Sequence, residues 1–512
     1  MAIKRALISV SDKTGIEDVA KKLSELGVEI ISTGGTSKAI KESGVEVKDV
    51  SDITGFPEIM GGRVKTLHPK VHGGLLAVRD DEGHMGEASN NEIGMIDMVI
   101  VNLYPFRETI EKEGVTEEEA IENIDIGGPS MLRSAAKNFK YVTVVTDPAD
   151  YDMVLAEIEA DGDTQLETRK KLARKVFTAT HRYDDAIEGY FRKTLGEPEM
   201  MDLHYEKVNS LRYGENPTQK AAFFRNPENH DANITNSEFL HGKDLSFNNI
   251  VDGNSALELV KEFKDPCAIF VKHNNPCGAA IRPTIEDAFE AGHKVDPMSA
   301  FGCVIAVNRE FNETMVDYMK ESKMFVEMVI APSYSEGALK RLMTRKNLRI
   351  LRVGDLKLDM KKTDIKKVAG GILIQTKDMY DLVPSDLKTV TKRAPTDEQI
   401  ADMLFATKIV KHVVSNSVVI AKDMTAVGIG AGQMSRVDSV FIAGKKAGER
   451  AKGAVLSSDA YFPFPDGLEQ AVEVGVEAII QPGGSIRDDE VIAKADERGI
   501  AMVFSGRRYF KH

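Results

Sequence analysis

The fold is decided first by residues 6–36, which read ALISVSDKTGIEDVAKKLSELGVEIISTGGT. Residues 6–10 form a short apolar run typical of a buried strand, and apolar residues then recur with helical spacing over residues 16–26. Gly27 stands where a glycine commonly ends a helix, and residues 28–31 are the next apolar run. A strand, a helix and a second strand in this order predict a mainly parallel sheet, which binds its ligands at the carboxyl ends of its strands.

The same alternation of apolar and helical stretches continues along the rest of the chain. Strand-like runs follow at residues 98–103, 141–145, 267–272, 303–307, 413–421 and 454–456. A highly charged helical stretch separates the second and third of these runs, and its pattern ends near Gly196. We therefore predict an α/β protein with one domain over residues 1–196 and a second region over residues 197–512. The second region is expected to divide within 345–400 rather than to form one giant sheet.

Composition excludes several classes of protein. The chain has 67 Lys and Arg against 80 Asp and Glu, a net charge of −13, which disfavours nucleic acid as a partner. No stretch of about 18 apolar residues is present, so no association with a membrane is expected. Three cysteines are too few for a disulfide framework, which favours a cytoplasmic location.

Polar turns follow the first two predicted strands. Residues 32–36, Ser-Thr-Gly-Gly-Thr, lie between a strand and a helix, where backbone N–H groups and hydroxyls can bind a phosphate. Residues 9–13 add hydroxyls and the cation of Lys13 at the end of the first strand. An ordinary strand-to-helix turn would explain either segment alone, but two adjacent strand ends with the same chemistry favour an anion site.

Two further glycine-rich segments carry candidate catalytic groups. Residues 61–68 contain Arg63 and Lys65, which suit a phosphate, although a solvated loop would have a similar composition. Residues 125–130, Asp-Ile-Gly-Gly-Pro-Ser, are expected to open a helix that includes Lys137. Asp125 and Lys137 could exchange protons at a common site; the alternative is a surface ion pair.

The segment at residues 272–278, Lys-His-Asn-Asn-Pro-Cys-Gly, follows a buried-strand pattern in the second region. His273 could accept a proton near neutral pH and Lys272 could stabilise negative charge, although a lone histidine is often structural. Pro276-Cys277 matches half of a zinc-deaminase signature, but Ala280 stands where the second cysteine would be. No catalytic metal is therefore predicted.

Together these segments resemble the bifunctional purine-biosynthesis family that joins AICAR transformylase to IMP cyclohydrolase. The resemblance covers nearly the whole chain and keeps the family's motif order, through residues 32–36, 62–68, 102–106, 125–129, 211–217, 272–278, 299–302, 415–417, 430–433, 456–460 and 507–512. It implies a methylglyoxal-synthase-like parallel-sheet domain followed by two cytidine-deaminase-like α/β subdomains without zinc. It also implies a homodimer.

The resemblance implies two consecutive reactions. The second region would transfer formyl from the cosubstrate 10-formyltetrahydrofolate to the 5-amino group of AICAR, and the first domain would close formyl-AICAR to IMP with loss of water. For ring closure it assigns catalytic roles to Lys65, Tyr104, Asp125 and Lys137. It assigns nucleotide binding in that domain to Ser11, Lys13, Ser32, Thr33, Gly34, Gly35, Thr36, Arg63, Thr66, Asn102, Ile126 and Gly127.

For formyl transfer the resemblance assigns proton acceptance to His273 and charge stabilisation to Lys272. The implied AICAR-binding residues are Arg212, Tyr213, Gly302, Glu327, Asn416, Gln433, Arg436, Tyr461 and Arg508. The implied folate-binding residues are Val437, Asp466, Ser485 and Ile486. Thr218 replaces a histidine that the family often carries, which leaves a formate-dependent variant open. A nucleotide-binding regulator without turnover and a zinc deaminase are the competing hypotheses.

Overall fold

The structure is a computed structural model that describes residues 2–357 and 363–512. The chain divides into two compact units, the first ending at Asp202 and the second beginning at Leu203. The charged helical stretch of the first unit is one long helix, Leu166–Thr194, and Gly196 adopts a left-handed conformation with φ of 68° just beyond it. The chain leaves the helix there because glycine takes that conformation at little cost.

The first unit is a five-stranded parallel sheet with helices on both faces. Its strands are β1 (Arg5–Ser9), β2 (Glu29–Ser32), β3 (Lys48–Asp49), β4 (Met98–Val101) and β5 (Thr143–Val145), in the order β3-β2-β1-β4-β5. Its helices are α1 (Ile16–Glu25), α2 (Gly34–Glu42), α3 (Val50–Thr54), α4 (Pro69–Leu76), α5 (Glu82–Asn90), α6 (Phe106–Ile110), α7 (Glu117–Glu122), α8 (Gly127–Lys137), α9 (Tyr151–Asp161) and α10 (Leu166–Thr194). The predicted parallel sheet is confirmed.

The apolar run that opened the sequence is the centre of this unit. Ala6, Leu7 and Ile8 are fully buried, because β1 has a strand on each side and helices over each face. Since all five strands are parallel, their carboxyl ends lie along one edge of the sheet. The polar segments that follow β1, β2 and β4 therefore meet there.

The second unit contains one twelve-stranded sheet, in the order β16-β21-β20-β19-β17-β18-β10-β9-β11-β12-β13-β8. These strands are β8 (Glu238–His241), β9 (Cys267–Lys272), β10 (Asn275–Ile281), β11 (Cys303–Val307), β12 (Val326–Ala331), β13 (Arg349–Arg352), β16 (Lys388–Thr389), β17 (Val418–Lys422), β18 (Thr425–Gly430), β19 (Val455–Ser458), β20 (Ala478–Gln481) and β21 (Ala501–Phe504). Two separate hairpins pair β6 (Glu206–Leu211) with β7 (Ala221–Arg225), and β14 (Thr363–Val368) with β15 (Gly371–Thr376).

The helices of the second unit make its two halves alike. They are α11 (Phe247–Val260), α12 (Ile285–His293), α13 (Glu313–Glu321), α14 (Glu336–Leu342), α15 (Asp397–Val410), α16 (Arg436–Ala447), α17 (Pro465–Glu473) and α18 (Asp488–Glu497). Each half runs helix, β-hairpin, helix, strand, helix, strand, helix, strand, beginning with α11 in one half and α15 in the other. Corresponding elements are about 150 residues apart.

One expectation for this region is wrong. The two halves form a single continuous sheet, because β10 of one half pairs antiparallel with β18 of the other, with Ala280 opposite Thr425. Pairing two edge strands satisfies backbone groups that each half alone would leave exposed. The two predicted α/β subdomains are thus the halves of one sheet, while their likeness to cytidine deaminases stays a prediction.

Candidate active sites

A cavity of about 600 Å³ opens at the carboxyl ends of β1, β2 and β4. It collects all but two of the sixteen residues predicted for the first domain. Those that line it are Ser11, Lys13, Thr33, Gly34, Gly35, Thr36, Arg63, Lys65, Thr66, Asn102, Tyr104, Asp125, Ile126 and Gly127. The cavity brings the predicted catalytic and nucleotide-binding groups together, although no ligand tests their roles.

Two lysines converge on the first turn of α2. A β-carbon on Gly34 would lie 3.6 Å from Nζ of Lys65, and one on Gly35 would lie 4.0 Å from Nζ of Lys13. The N-terminus of a helix presents unpaired N–H groups and a partial positive charge. Two ammonium groups beside it make this the place in the cavity best suited to a phosphate.

Two predicted side chains hold the end of β1 and β2 in place. The Thr36 hydroxyl accepts the Val10 N–H at 3.0 Å and donates to the Val10 carbonyl at 2.9 Å. The Ser32 hydroxyl is fully buried and donates to the Ile8 carbonyl at 2.6 Å. Ser32 does not line the cavity, so its contribution is to the strand pairing rather than to a ligand.

The mouth of the cavity carries two ion pairs that the sequence did not predict. Nζ of Lys65 lies 2.6 Å from Glu58, and the guanidinium of Arg63 pairs with Glu122. The Arg63 pair is largely exposed, so solvent screens it and its net stabilisation is small. An anionic ligand could exchange with either carboxylate at little cost.

Asp125 lies two residues before α8 and accepts a hydrogen bond from the first turn of that helix. Its Oδ1 accepts the Gly128 N–H at 2.8 Å, and its own N–H donates to the Tyr183 hydroxyl at 2.7 Å. Burial raises the pKa of Asp125, although N–H groups of Gly128, Tyr104 and Gly127 act against that rise. A carboxyl group with a raised pKa in a cavity is suited to carrying a proton.

Lys137 is not among the residues that line this cavity. Asp125 precedes α8, whereas Lys137 is the last residue of α8 and is exposed. A site shared by Asp125 and Lys137, and the catalytic role of Lys137, stay predictions.

A second cavity, of about 470 Å³, lies in the second unit beside the turn between β9 and β10. Lys272 and His273 both line it, and His273 is exposed rather than enclosed by hydrocarbon. The ammonium of Lys272 donates to the Phe301 carbonyl, and a β-carbon on Gly302 would lie 3.8 Å from that nitrogen. Lys272, His273 and Gly302 are thus neighbours.

Both halves of the sheet contribute to this second cavity. Asn275 accepts the Val414 N–H at 3.0 Å and donates to the His273 carbonyl at 3.0 Å, which ties the turn to the second half. On the opposite wall, Nζ of Lys446 lies 2.6 Å from Asp296. Burial acts against ionisation of Asp296, but hydrogen bonds from Lys446 and Ser299 outweigh it and lower its pKa. The sequence did not predict this pair.

Three predicted AICAR-binding residues form a hydrogen-bonded cluster. Arg436 is buried, pairs with Asp459, and donates to Oδ1 of Asn416 at 2.9 Å. Asn416 in turn donates to the Gln433 carbonyl at 2.9 Å. The charge of Arg436 is thus already paired with Asp459. The hydrogen bonds that Asn416 makes to Arg436 and to the Gln433 carbonyl fix the orientation of the Asn416 amide.

The other residues predicted for AICAR and folate binding do not line the second cavity. These residues are Arg212, Tyr213, Glu327, Val437, Tyr461, Asp466, Ser485, Ile486 and Arg508. Glu327 forms an ion pair of 2.7 Å with the buried Arg349, which gives it a structural partner. Ile486 is fully exposed, and Tyr461 is 40% exposed.

The C-terminal tail folds back, as a role for Arg508 would require. The Tyr509 N–H donates to the Asp459 carbonyl at 2.8 Å, and the Lys511 N–H donates to the Ser415 hydroxyl at 3.1 Å. The Arg508 guanidinium lies 4.4 Å from the centre of the Phe510 ring. The tail thereby holds Arg508 in the same part of the unit as the Asp459 cluster.

Neither a metal-ligand group nor a membrane-spanning helix is found among the described residues. Within residues 2–357 and 363–512, no three His, Cys, Asp or Glu side chains are grouped so that they could hold a metal ion. No helix in the same residues has the length and apolar character needed to cross a bilayer.

The chain contains a parallel α/β unit and a duplicated α/β unit, and each has its own cavity. This arrangement indicates an enzyme with two sites on one chain. Residues 135–446 match the family described as "AICARFT/IMPCHase bienzyme", and residues 15–130 match the "MGS-like domain". The chain belongs to the AICARFT/IMPCHase bienzyme family. The predicted family and the methylglyoxal-synthase-like domain are confirmed, and the protein is an enzyme.

Two relatives show how complete the similarity is. The chain is 55% identical over 511 residues to "Bifunctional purine biosynthesis protein PurH" of Thermoanaerobacter sp. (strain X514), covering 99% of this chain and 100% of that protein. It is 52% identical over 514 residues to the protein of the same name from Bacillus subtilis (strain 168), covering 100% of both. A solved structure titled "Crystal structure of ForH" covers 37% of this chain at 38% identity, and its TM-score of 0.34 is too low to support a fold assignment.

Proposed function

We propose that the second unit transfers formyl from 10-formyltetrahydrofolate to AICAR and that the first unit closes formyl-AICAR to IMP. The observation that carries the nucleotide part is the convergence of Lys13 and Lys65 on the N-terminus of α2. The nucleotide reactants of both steps carry a ribose phosphate. In the first unit, the first turn of α2 with Lys13 and Lys65 would bind that phosphate. The proposal assigns ring closure to residues 1–196 and formyl transfer to residues 197–512, and the division of the chain into compact units at Asp202 and Leu203 supports it.

Ring closure joins two groups of one molecule. The carboxamide nitrogen attacks the formyl carbon and gives up a proton. The former carbonyl oxygen then departs as water with that proton and the proton of the formylated nitrogen, and a C=N bond forms. Holding the folded conformer supplies much of the acceleration, because the reacting groups need no encounter. Asp125, with its raised pKa, would carry the proton, while Lys65 and Tyr104 would polarise or orient the reacting groups.

Formyl transfer needs a base because the AICAR amine is a poor nucleophile, its electrons being delocalised into the ring and carboxamide. The amine nitrogen bonds to the formyl carbon, the bond from that carbon to the folate nitrogen breaks, and the folate nitrogen takes up a proton. His273 would accept the proton lost by the amine, and Lys272 would stabilise the negative charge that develops. A well-placed general base contributes about 10²–10⁴-fold.

The folate pocket and the partners belong to the same proposal. Val437, Asp466, Ser485 and Ile486 would contact folate; none of them lines the His273 cavity, which favours a site completed by a second copy in a homodimer. Exposed apolar side chains such as Met434 (94%) and Ile486 support such an interface. The three free cysteines agree with a cytoplasmic location.

A product assay tests the proposal. Purified protein given AICAR and 10-formyltetrahydrofolate should form IMP and tetrahydrofolate, and formate should not replace the folate despite Thr218. His273→Ala should suppress formyl transfer by about 10²-fold or more and spare cyclisation of added formyl-AICAR. Lys13→Met should weaken cyclisation and spare transfer. Binding of AICAR by calorimetry without product, or joint loss of both reactions in a folded single variant, would contradict two catalytic sites.

A further inference from the structure

The two halves of the second unit contain the same turn, supported in the same way. The sixth residue of α11 is Asp252, whose Oδ1 accepts the Asn274 N–H at 2.8 Å; the His273 N–H also bonds to this carboxylate. The sixth residue of α15 is Asp402, which accepts the N–H groups of the next hairpin turn. Those bonds are 2.9 Å from Asp423 and 2.6 Å from Met424.

Both turns need this support because their backbones are strained. His273 and Asn274 have φ of 52° and 62°, and Asp423 and Met424 have φ of 52° and 53°. These residues are not glycine, so each left-handed conformation costs about 1–2 kcal/mol. A carboxylate that accepts both N–H groups of the turn offsets that cost and fixes where the turn side chains start.

The two turns differ in what surrounds them. Arg282 covers the second turn, donating to the Asp423 carbonyl at 2.7 Å and to the Thr425 hydroxyl at 2.7 Å. At the matching place beside the first turn, 150 residues later, the chain has Gly432, which has no side chain to fill the space. The first turn therefore borders a cavity and presents an imidazole to it, whereas the second turn carries Asp423 at that place and has Arg282 bonded across it.

We infer that Asp252 is a positioning residue for His273 in formyl transfer, and this inference rests on the proposed function of that site. Asp252 acts through the main chain of the turn rather than on the substrate. Burial raises the pKa of Asp252, and the N–H groups of Asn274 and His273 oppose that rise. Burial likewise raises the pKa of Asp402, but only Asp252 supports a turn that borders the cavity.

The test compares Asp252 with Asp402 in the full-length protein. Asp252→Ala should lower kcat for formyl transfer by about 10²-fold, because an error of about 1 Å in a catalytic group costs that much. Its KM for AICAR should change much less than kcat. Asp252→Asn keeps an acceptor oxygen and should recover most of the lost rate. Asp402→Ala removes the same support from the second turn, whose residues do not line the His273 cavity, and should leave formyl transfer near the wild-type rate.

Cyclisation of added formyl-AICAR and thermal unfolding are measured on every variant. Equal losses of transfer in Asp252→Ala and Asp402→Ala, or no loss in Asp252→Ala, would overturn the inference. If Asp252→Ala does not fold, Asp252→Glu and Asp402→Glu, which displace each carboxylate by one methylene, carry the same comparison, and equal transfer rates in those two overturn the inference. Failure of the proposed function would be seen separately, as transfer that is absent from the wild type or unaffected by His273→Ala.

Discussion

Asn102 and Asp12 are joined by two hydrogen bonds that connect neighbouring strand ends of the first unit. Oδ1 of Asn102 accepts the Asp12 N–H at 2.9 Å, and Nδ2 of Asn102 donates to the Asp12 carbonyl at 2.8 Å. The same Oδ1 accepts the Ser11 N–H at 2.7 Å. One amide beyond β4 thereby fixes the loop that carries Lys13, which faces the first turn of α2.

Asn102→Ala should therefore weaken nucleotide binding in the first unit. The substitution leaves the Ser11 N–H, the Asp12 N–H and the Asp12 carbonyl without the Asn102 amide as a partner. A polar group left unpaired costs about 1–3 kcal/mol where water does not take the place of the amide. We expect a higher KM for formyl-AICAR in the cyclisation assay, with formyl transfer unchanged. Asn91→Ala is the matched control, because the Asn91 amide donates only to the Glu87 carbonyl within its own helix. An unchanged KM in Asn102→Ala would show that the loop keeps its shape without this amide.

Gly128→Ala should move Asp125 while leaving the fold intact. A β-carbon on Gly128 would lie 3.0 Å from Cγ of Asp125 and closer still to its Oδ2, so the carboxylate has to shift. We expect a fall in kcat for cyclisation of about tenfold to 10²-fold, in line with the loss from a misplaced group of this size. Circular dichroism should show little change in unfolding. Gly86→Ala is the control, because a β-carbon there meets no atom within 4 Å; equal rates in the two variants would contradict a catalytic role for Asp125.

The first cavity could be predicted from sequence because its residues follow local rules. In a parallel sheet the carboxyl ends of all strands lie at one edge, so finding the apolar runs before Ser11 and Thr33 was enough to bring those two residues together. Asn102 was assigned to the site only by the family resemblance. Helical spacing alone could not place Lys137, because spacing gives the face of a helix on which a residue lies and not its distance from a residue outside the helix. The catalytic role of Lys137 stays a prediction.

The second unit was less predictable because its decisive contacts are not local. The pairing of β10 with β18 joins residues about 150 apart, and no periodic pattern in the sequence indicates it. The duplication leaves few identical residues, among them Asp252 with Asp402 and Lys272 with Lys422. Asp252 was missed for this reason: a carboxylate that accepts backbone N–H groups from a distant turn has no sequence signature of its own.

A buried carboxylate should make the second unit sensitive to acid. Glu258 lies 2.8 Å from Nζ of Lys261 and 2.5 Å from Nζ of Lys377. Burial opposes its ionisation, but the two ammonium groups outweigh burial and lower the pKa of Glu258 from 4.5 to about 2. A lowered pKa in the folded state stabilises the protein above the unfolded value of 4.5, and that stability is lost as the pH falls towards about 2.

Glu258→Gln should remove this stabilisation, which amounts to at most about 3 kcal/mol. The difference in unfolding free energy between wild type and Glu258→Gln should be constant near neutral pH and should shrink as the pH falls below 4.5. Urea unfolding followed by circular dichroism over that range measures it. Glu336→Gln is the control, because Glu336 is exposed on the first turn of α14. A difference for Glu258→Gln that does not change with pH would mean that the carboxylate stays protonated in the folded protein, contrary to its pairing with two lysines.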